Sequence, residues 1–329
     1  MTIIIEGKTE GNAMKKGKLK QLTARTEFSV LAGLIILIVI MSIASPYFLT
    51  TANIFNVLSQ ISRYGIISVG MALVIITGGI DLSVGYVVGL SATMGAYLIT
   101  NVGLPWPLVL IIVLLMGALI GSVNGFFVTV VNLPPFIVTL AMSKVLSGCI
   151  LLLTKGMPIS FETPLAVLGS GYIGAVPVCV IIMFVCIIAG TVFAERTQTG
   201  RNIYALGNNE RAACLSGIKI KKTKTMVYII CSVLCAFCGI IVAGNLYSAD
   251  ATLGAGYDID TIAAVVIGGV SMTGGEGSIW GALIGAAIMG VLKNGFVLLS
   301  ISSYWQTIVI GIVIIVAVTI DRLRTTKRA

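Results

Sequence analysis

The chain has 329 residues, 57% of them hydrophobic and 10% charged, with a mean hydropathy of +1.08 and a formal net charge of +9. A soluble domain carries about 25% charged residues, so a chain this apolar cannot cover itself in water; it reads as an all-α protein that crosses a membrane repeatedly. Seventeen of the 21 basic residues fall in three blocks, Lys8 to Arg25, Arg196 to Lys224 and Arg322 to Arg328, which is the positive-inside pattern of a membrane protein and not a nucleic-acid-binding surface.

The predicted elements start with a basic segment, 1–27, expected in the cytoplasm. An apolar run follows at 28–45. Ser42-Ile43-Ala44 faintly resembles a cleavage site, but the run is long and nine more follow, so it reads as an uncleaved anchor. The next spans are expected near 53–78, 83–100, 106–128, 135–153 and 175–194, with Arg63 interrupting the first of these. A basic segment at about 195–222 comes next. Four more runs, 223–246, 259–273, 279–299 and 303–320, make ten, and a tail at 323–329 closes the chain. The run at 259–273 is short for a span. Six crossings separate the first basic block from the second and four the second from the third, so all three blocks and both termini are expected on the cytoplasmic side.

Residues 78–89 read GGIDLSVGYVVG and put a carboxylate between two apolar runs. Such a group needs a partner. Asp81, followed by Ser83, either caps the third span after a glycine-terminated second one or contacts a polar solute. Glu276, in 268-GGVSMTGGEGSIWG-281, is a similar candidate cap for the ninth span. Gly117, Gly121 and Gly125 recur at every fourth position, as do Gly277, Gly281 and Gly285, and Gly85 and Gly89; this spacing lets helices approach closely in lipid.

Ion-coupled carriers usually hold paired ionisable groups within the membrane. Here Arg63, Lys144 and Lys293 lie in apolar stretches with no acid on the same or an adjacent turn. The other polar residues in or beside the runs are neutral: Asn53, Asn56, Gln60, Asn124, Asn132, Asn245, Asn294 and Gln306. They suit a hydroxyl-bearing solute, and they equally suit helix–helix hydrogen bonding. The chain has no histidine and its acids are scattered, so neither a catalytic cluster nor a metal site is expected; Cys235-Ala-Phe-Cys238 reads as small apolar packing. No GxxxxGK[ST] occurs, so ATP-driven transport needs a separate ATPase.

One segment offers such a partner a surface. In 200-GRNIYALGNNERAACLSGIKIKK-222, Asn208 or Asn209 can cap a short helix. Glu210 then sits in its first turn, Ala212, Ala213, Cys214 and Leu215 continue it, and Gly217 stops it. The residues leave two readings open, a helix seated in a partner's groove and a helix lying on lipid headgroups.

GGIDLSVG, then YALGNNERAACLSGI, then 262-IAAVVIGGVSMTGGEGSIWGALIGA-286, then 303-SYWQ-306 occur in that order. Over residues 28–322 the chain resembles the membrane permeases of ribose- and galactose-type ABC importers, the ribose branch above all. The resemblance implies a type II importer fold of ten helices, a second and usually identical permease subunit, an ATPase with two fused nucleotide-binding halves, and an extracytoplasmic sugar-binding protein. ATP-Mg would lie on the ATPase, with no cofactor on this chain. It also implies that the middle segment docks the ATPase, through Tyr204, Ala205, Gly207, Asn208, Asn209, Glu210, Ala212, Ala213, Ser216 and Gly217.

Asn53, Asn56, Gln60, Arg63, Asp81, Ser83, Asn124, Asn245, Asn294 and Gln306 are then candidates for the path or its gates. Asp250, Asp258 and Asp260, expected on an outer loop, are candidates for meeting basic residues of the binding protein. Family members often carry an arginine just before the position of Gly148, where this chain has Ser147; Arg63 stands where an uncharged residue is expected. The expected activity is ATP-driven uptake of a monosaccharide, ribose-like, across a prokaryotic inner membrane by alternating access. The alternative is an ion-coupled secondary sugar transporter.

Overall fold

A computed structural model describes residues 26–326; the basic block from Lys8 to Arg25 and the last three residues lie outside the described residues. Helices dominate because the long apolar runs have no other way to satisfy their backbone in lipid. In chain order they are α1 (Thr26–Ala44), α2 (Thr51–Ile76), α3 (Val84–Thr100), α4 (Trp106–Thr129), α5 (Pro135–Thr154), α6 (Val167–Ser170), α7 (Val178–Arg196), α8 (Gln198–Asn208), α9 (Glu210–Leu215), α10 (Ile220–Leu246), α11 (Tyr257–Ile267), α12 (Ile279–Leu298) and α13 (Ser303–Thr326). Proline sets the starts of α4, α5 and α7: Pro105, Pro134 and Pro177 hold the N-cap positions, where a missing N–H costs nothing.

Among the described residues, seven helices are long and apolar enough to cross a membrane: α1, α2, α4, α5, α7, α10 and α12. Val84–Thr100 and Ser303–Thr319 are shorter apolar helices. The eighth expected span is different. In place of a helix over 259–273, α11 has 11 residues, about 16 Å at 1.5 Å per residue, or half of a hydrocarbon core. It is preceded by a run of turns at 250–256.

The glycine ladders explain how these elements meet. A Cβ on Gly121 would lie 2.5 Å from the Tyr228 carbonyl oxygen and 2.6 Å from the Ile229 Cα, so α4 rests directly on the backbone of α10. Gly117 meets Ser232 and Ala236, and Gly125 meets Thr225, one turn either way. Gly281 and Gly285 seat α12 against Gly268 and Ala264 at the end of α11. Gly277 is not part of that helical ladder; it lies in the loop before α12. Gly85 and Gly89 face mainly the turns that precede α11, with Asp258 N of its first turn near Gly85 and the Ile150 side chain of α5 near Gly89. They receive the carbonyls of Gly254 and Leu253, so the turns at 250–256 lean into the side of α3. α10 lies at the centre, packed on α2, α3 and α4, with Tyr228, Cys231, Cys235 and Cys238 buried.

Two ends can be told apart. At one, β1 (Ile159–Ser160) pairs antiparallel with β4 (Ser248–Ala249), and the Thr100 hydroxyl donates to Ser160. A second small hairpin, β2 (Tyr172–Ile173) with β3 (Val176–Pro177), precedes α7. At the other end the Ser278 hydroxyl donates to Glu27, Asp321 accepts from the Met272 N–H, and Gly275 N–H donates to Ile76. The start of α1, the end of α2, the 195–222 segment, the loop before α12 and the end of α13 therefore share one end. This is the arrangement expected from the distribution of basic blocks.

Because the α4–α10 contact is backbone on backbone, it has no room to adjust. Gly121→Val should cost at least the 1–3 kcal/mol typical of overpacking. A melting temperature several degrees below wild type in detergent is expected, and an unchanged melt would contradict the contact.

Candidate functional site

The segment 195–222 forms two helices, not one. α8 begins at a Thr197 cap that accepts from Gly200 N–H. α9 begins at Asn209, whose side chain accepts from Ala212 N–H at 3.0 Å; of the two asparagines able to cap it, the second does so. It ends in a Schellman turn: Ile218 N–H donates to Ala213 and Gly217 N–H to Cys214, with Gly217 at a φ of +81°. Glu210, in the first turn, pairs with Lys224 of α10 at 2.7 Å. Ala213 is buried against the body, while Ala205, Asn208, Asn209, Ala212 and Ser216 are exposed and Leu215 is 91% exposed.

The inner side of the segment is tied to the body of the protein. A Cβ on Gly207 would fall 1.8 Å from the Ile76 carbonyl oxygen and 2.5 Å from Gly275 N, so α8 crosses the end of α2 at backbone contact. Tyr204 Oη donates to the Gly277 carbonyl at 3.0 Å, and Asn208 Nδ2 to Gly275 at 3.4 Å. Burial, and then Glu195, push the Tyr204 hydroxyl above its ordinary pKa, which keeps it a donor. The loop 274–278 is therefore part of this junction. Ser278, and not Glu276, caps α12: its hydroxyl accepts from Gly281 N–H at 2.9 Å.

Asp81 is fully buried. Its Oδ1 accepts from the Ser83 N–H at 2.9 Å and the Ser83 hydroxyl at 2.6 Å, an Asx turn that leads into α3. Ser83, rather than Asp81, holds the cap position, and Asn124 Nδ2 donates to its hydroxyl at 2.9 Å. Asp81 thus organises the α2–α3 turn against α4.

Several path candidates serve as helix–helix ties. Asn53 and Asn294 exchange amide hydrogen bonds at 2.8 and 3.1 Å, joining α2 to α12. Gln306 donates to Ile301 of its own turn. Asn56 is exposed and Gln60 half-buried on α2.

Arg63 is different. Its Nη2 donates to Asn245 Oδ1 at 2.9 Å. One turn-face along, Tyr64 donates to Asp260 at 3.3 Å and accepts from Lys293 Nζ at 3.0 Å, and Lys293 forms an ion pair with Asp260.

Two expectations are corrected here. Asp260 is not an outer-loop acid open to a docking protein; it is 5% exposed, with its carboxylate engaged by Lys293 and Tyr64. Lys293, expected to lack a partner, has one on a neighbouring helix. Sequence windows missed the pair because its members stand 33 positions apart on different elements. Asp250 accepts from the Thr252 N–H and hydroxyl within its own turn, and Asp258 is half-buried in the first turn of α11.

A polytopic, helical body with a tethered two-helix element at one end has the form of a transport permease. The family model described as branched-chain amino acid transport system / permease component matches residues 53–318, and the chain belongs to this family. It is 43% identical to the ribose import permease protein RbsC of Bacillus subtilis strain 168 over 296 residues, covering 89% of this chain and 92% of that one. The identity to RbsC of Escherichia coli K12 is also 43%, covering 88% and 92%. To the galactose/methyl galactoside import permease protein MglC of Salmonella typhimurium strain LT2 it is 34%, covering 93% and 97%. No solved structure matches the chain. It is a multi-pass membrane protein and a transport subunit.

The reciprocal amide pair gives a test of these ties. Asn53→Leu leaves Asn294 unpaired and should cost about 1–3 kcal/mol. Adding Asn294→Leu should return most of the loss, read as the melting temperature of the purified protein; equal or additive losses would argue against the pairing.

Proposed function

We propose that the chain is the membrane permease of an ATP-driven ABC importer that moves a monosaccharide, ribose-like, into the cytoplasm. It has ten crossings, the eighth formed by the turns at 250–256 together with α11. Both termini and the α8–α9 segment are cytoplasmic, in the inner membrane of a prokaryote. Two copies form the pathway. An ATPase with two fused nucleotide-binding halves carries ATP-Mg and docks on α8–α9. A sugar-binding protein delivers substrate at the β1–β4 end, where Asp250 and Asp258 remain candidate contacts.

The observation that carries this reading is the construction of α8–α9. Its outer face offers small residues and one projecting leucine, Leu215, which suits insertion into a groove of a partner. Its inner face is fixed to the end of α2 and the loop before α12 through Gly207, Tyr204 and Asn208. A push on the outer face has therefore two helices to move. The relatives named for ribose and galactoside import add the substrate class. The mechanism is alternating access: closure of the ATPase displaces α8–α9, and the attached helices rock about the path.

An ion-coupled carrier would need no such face. The test is recovery of the tagged chain from its native membrane in mild detergent. A co-purifying two-domain ATPase is expected; repeated recovery of the chain alone would overturn the importer reading.

Residues exposed on the outer face separate docking from folding. Ala212→Trp and Leu215→Ser should leave the melting temperature within about a degree, since neither side chain packs on the body. Each should reduce the co-purified ATPase and ATP-dependent ribose uptake at least about tenfold, the loss of one anchoring contact of about 1.4 kcal/mol or more. Undiminished uptake in both variants would count against docking at this face.

A further inference from the structure

We propose that Arg63, Tyr64, Tyr257, Asp260 and Lys293 form a station for a polyhydroxylated substrate within the transport path. The proposal rests on the importer reading and assigns a place inside it.

Three observations carry it. The first is position. Tyr64 is the fourteenth of the 26 residues of α2. Lys293 is the fifteenth of the 20 residues of α12, about 21 Å from its start. The first turn of α11 begins where the turns at 250–256 leave the side of α3. The cluster thus lies within the span region, at the break in the eighth crossing, and draws on α2, α10, α11 and α12.

The second is the cost of the groups. Charges inside a membrane are expensive, and a purely structural tie could be made from amides, as Asn53 and Asn294 make one. This site keeps two cations and a carboxylate. Among the described residues no carboxylate forms an ion pair with Arg63, whose side chain donates to the neutral Asn245. Guanidinium has five N–H donors in a fixed fork, so donors remain for a ligand. Arg63 and Lys293 are also only half-buried, and so are not sealed away.

The third is the mixture of chemistry. The rings of Tyr64 and Tyr257 pack 5.4 Å apart; Tyr64 is buried, and the half-buried Tyr257 is the ring that could meet the C–H face of a sugar. Around them are cationic donors and a carboxylate acceptor, and vicinal hydroxyls both donate and accept. In transit the hydroxyls would take the place of the Lys293–Asp260 and Arg63–Asn245 contacts and then return the groups to one another. Such self-pairing keeps occupancy weak, as a path requires.

The test uses cells lacking the chromosomal copy, complemented with the whole chain, and measures maximal uptake of labelled ribose, xylose and galactose. Arg63→Met and Lys293→Met should lower ribose uptake about tenfold, the worth of one charge-assisted hydrogen bond. They should also change the ribose:xylose:galactose ratio at least threefold, at wild-type membrane levels and ATPase recovery. The exchange variant Asp260→Lys with Lys293→Asp should restore the melting temperature without restoring that ratio. If both single variants lower all three sugars in proportion to folded protein, or the exchange restores the wild-type ratio, the cluster is scaffold and the proposal is overturned. If wild type imports none of the three and recovers no ATPase, the importer reading itself fails, and the station falls with it.

Discussion

Backbone-to-backbone contact is the constraint on which the rest of the structure depends. In lipid, apolar side chains gain nothing by leaving the solvent, so helices are held by close approach and by polar contacts. Gly121 of α4 lies directly on the backbone of α10, with the small side chains of Ala236 and Thr225 at Gly117 and Gly125, and α10 in turn supports α2 and α3. Once α10 is fixed, the end of α2 is fixed, and with it the carbonyl of Ile76 against which Gly207 docks. The α8–α9 segment has a defined position because a chain of close contacts runs from it into the core.

The same principle bears on the turns that precede α11. Irregular backbone inside a membrane is tolerated only where protein covers it. Here the turns at 250–256 use their own hydrogen bonds, Leu253 to Asp250, Ala255 to Thr252 and Tyr257 to Gly254, and are covered by Gly85 and Gly89 of α3. The small residues of α3 that read as a helix-packing ladder instead make room for a non-helical neighbour.

This difference marks how far the sequence could be read. The all-α body, a cap on α9 from one of Asn208 and Asn209, and its stop at Gly217 follow from local chemistry, where one side chain or one composition decides the outcome. The fates of Asp260 and Lys293 do not. Each looked unpartnered within its own window, because the partner is supplied by tertiary packing of α11 on α12. Likewise Glu276 was the obvious acid near the start of α12, yet Ser278 stands at the residue whose geometry meets the Gly281 N–H. Spacing identifies candidates, but the backbone decides which of two neighbours reaches the helix end.

α11 also joins the α8 junction to the charged cluster. It is a single rod of about 16 Å. Its far end, at Gly268, is pinned on Gly281 at the foot of α12, and the chain then enters the loop whose Gly275 and Gly277 touch Asn208 and Tyr204 of α8. Its near end carries Tyr257 and Asp260 into the charged cluster, where Asp260 pairs with Lys293. The turns just before it are seated on Gly85 and Gly89 of α3. Both ends of this short helix are therefore fixed by backbone contact, and the junction at α8 and the charged cluster are joined by one continuous packed element rather than by a flexible loop.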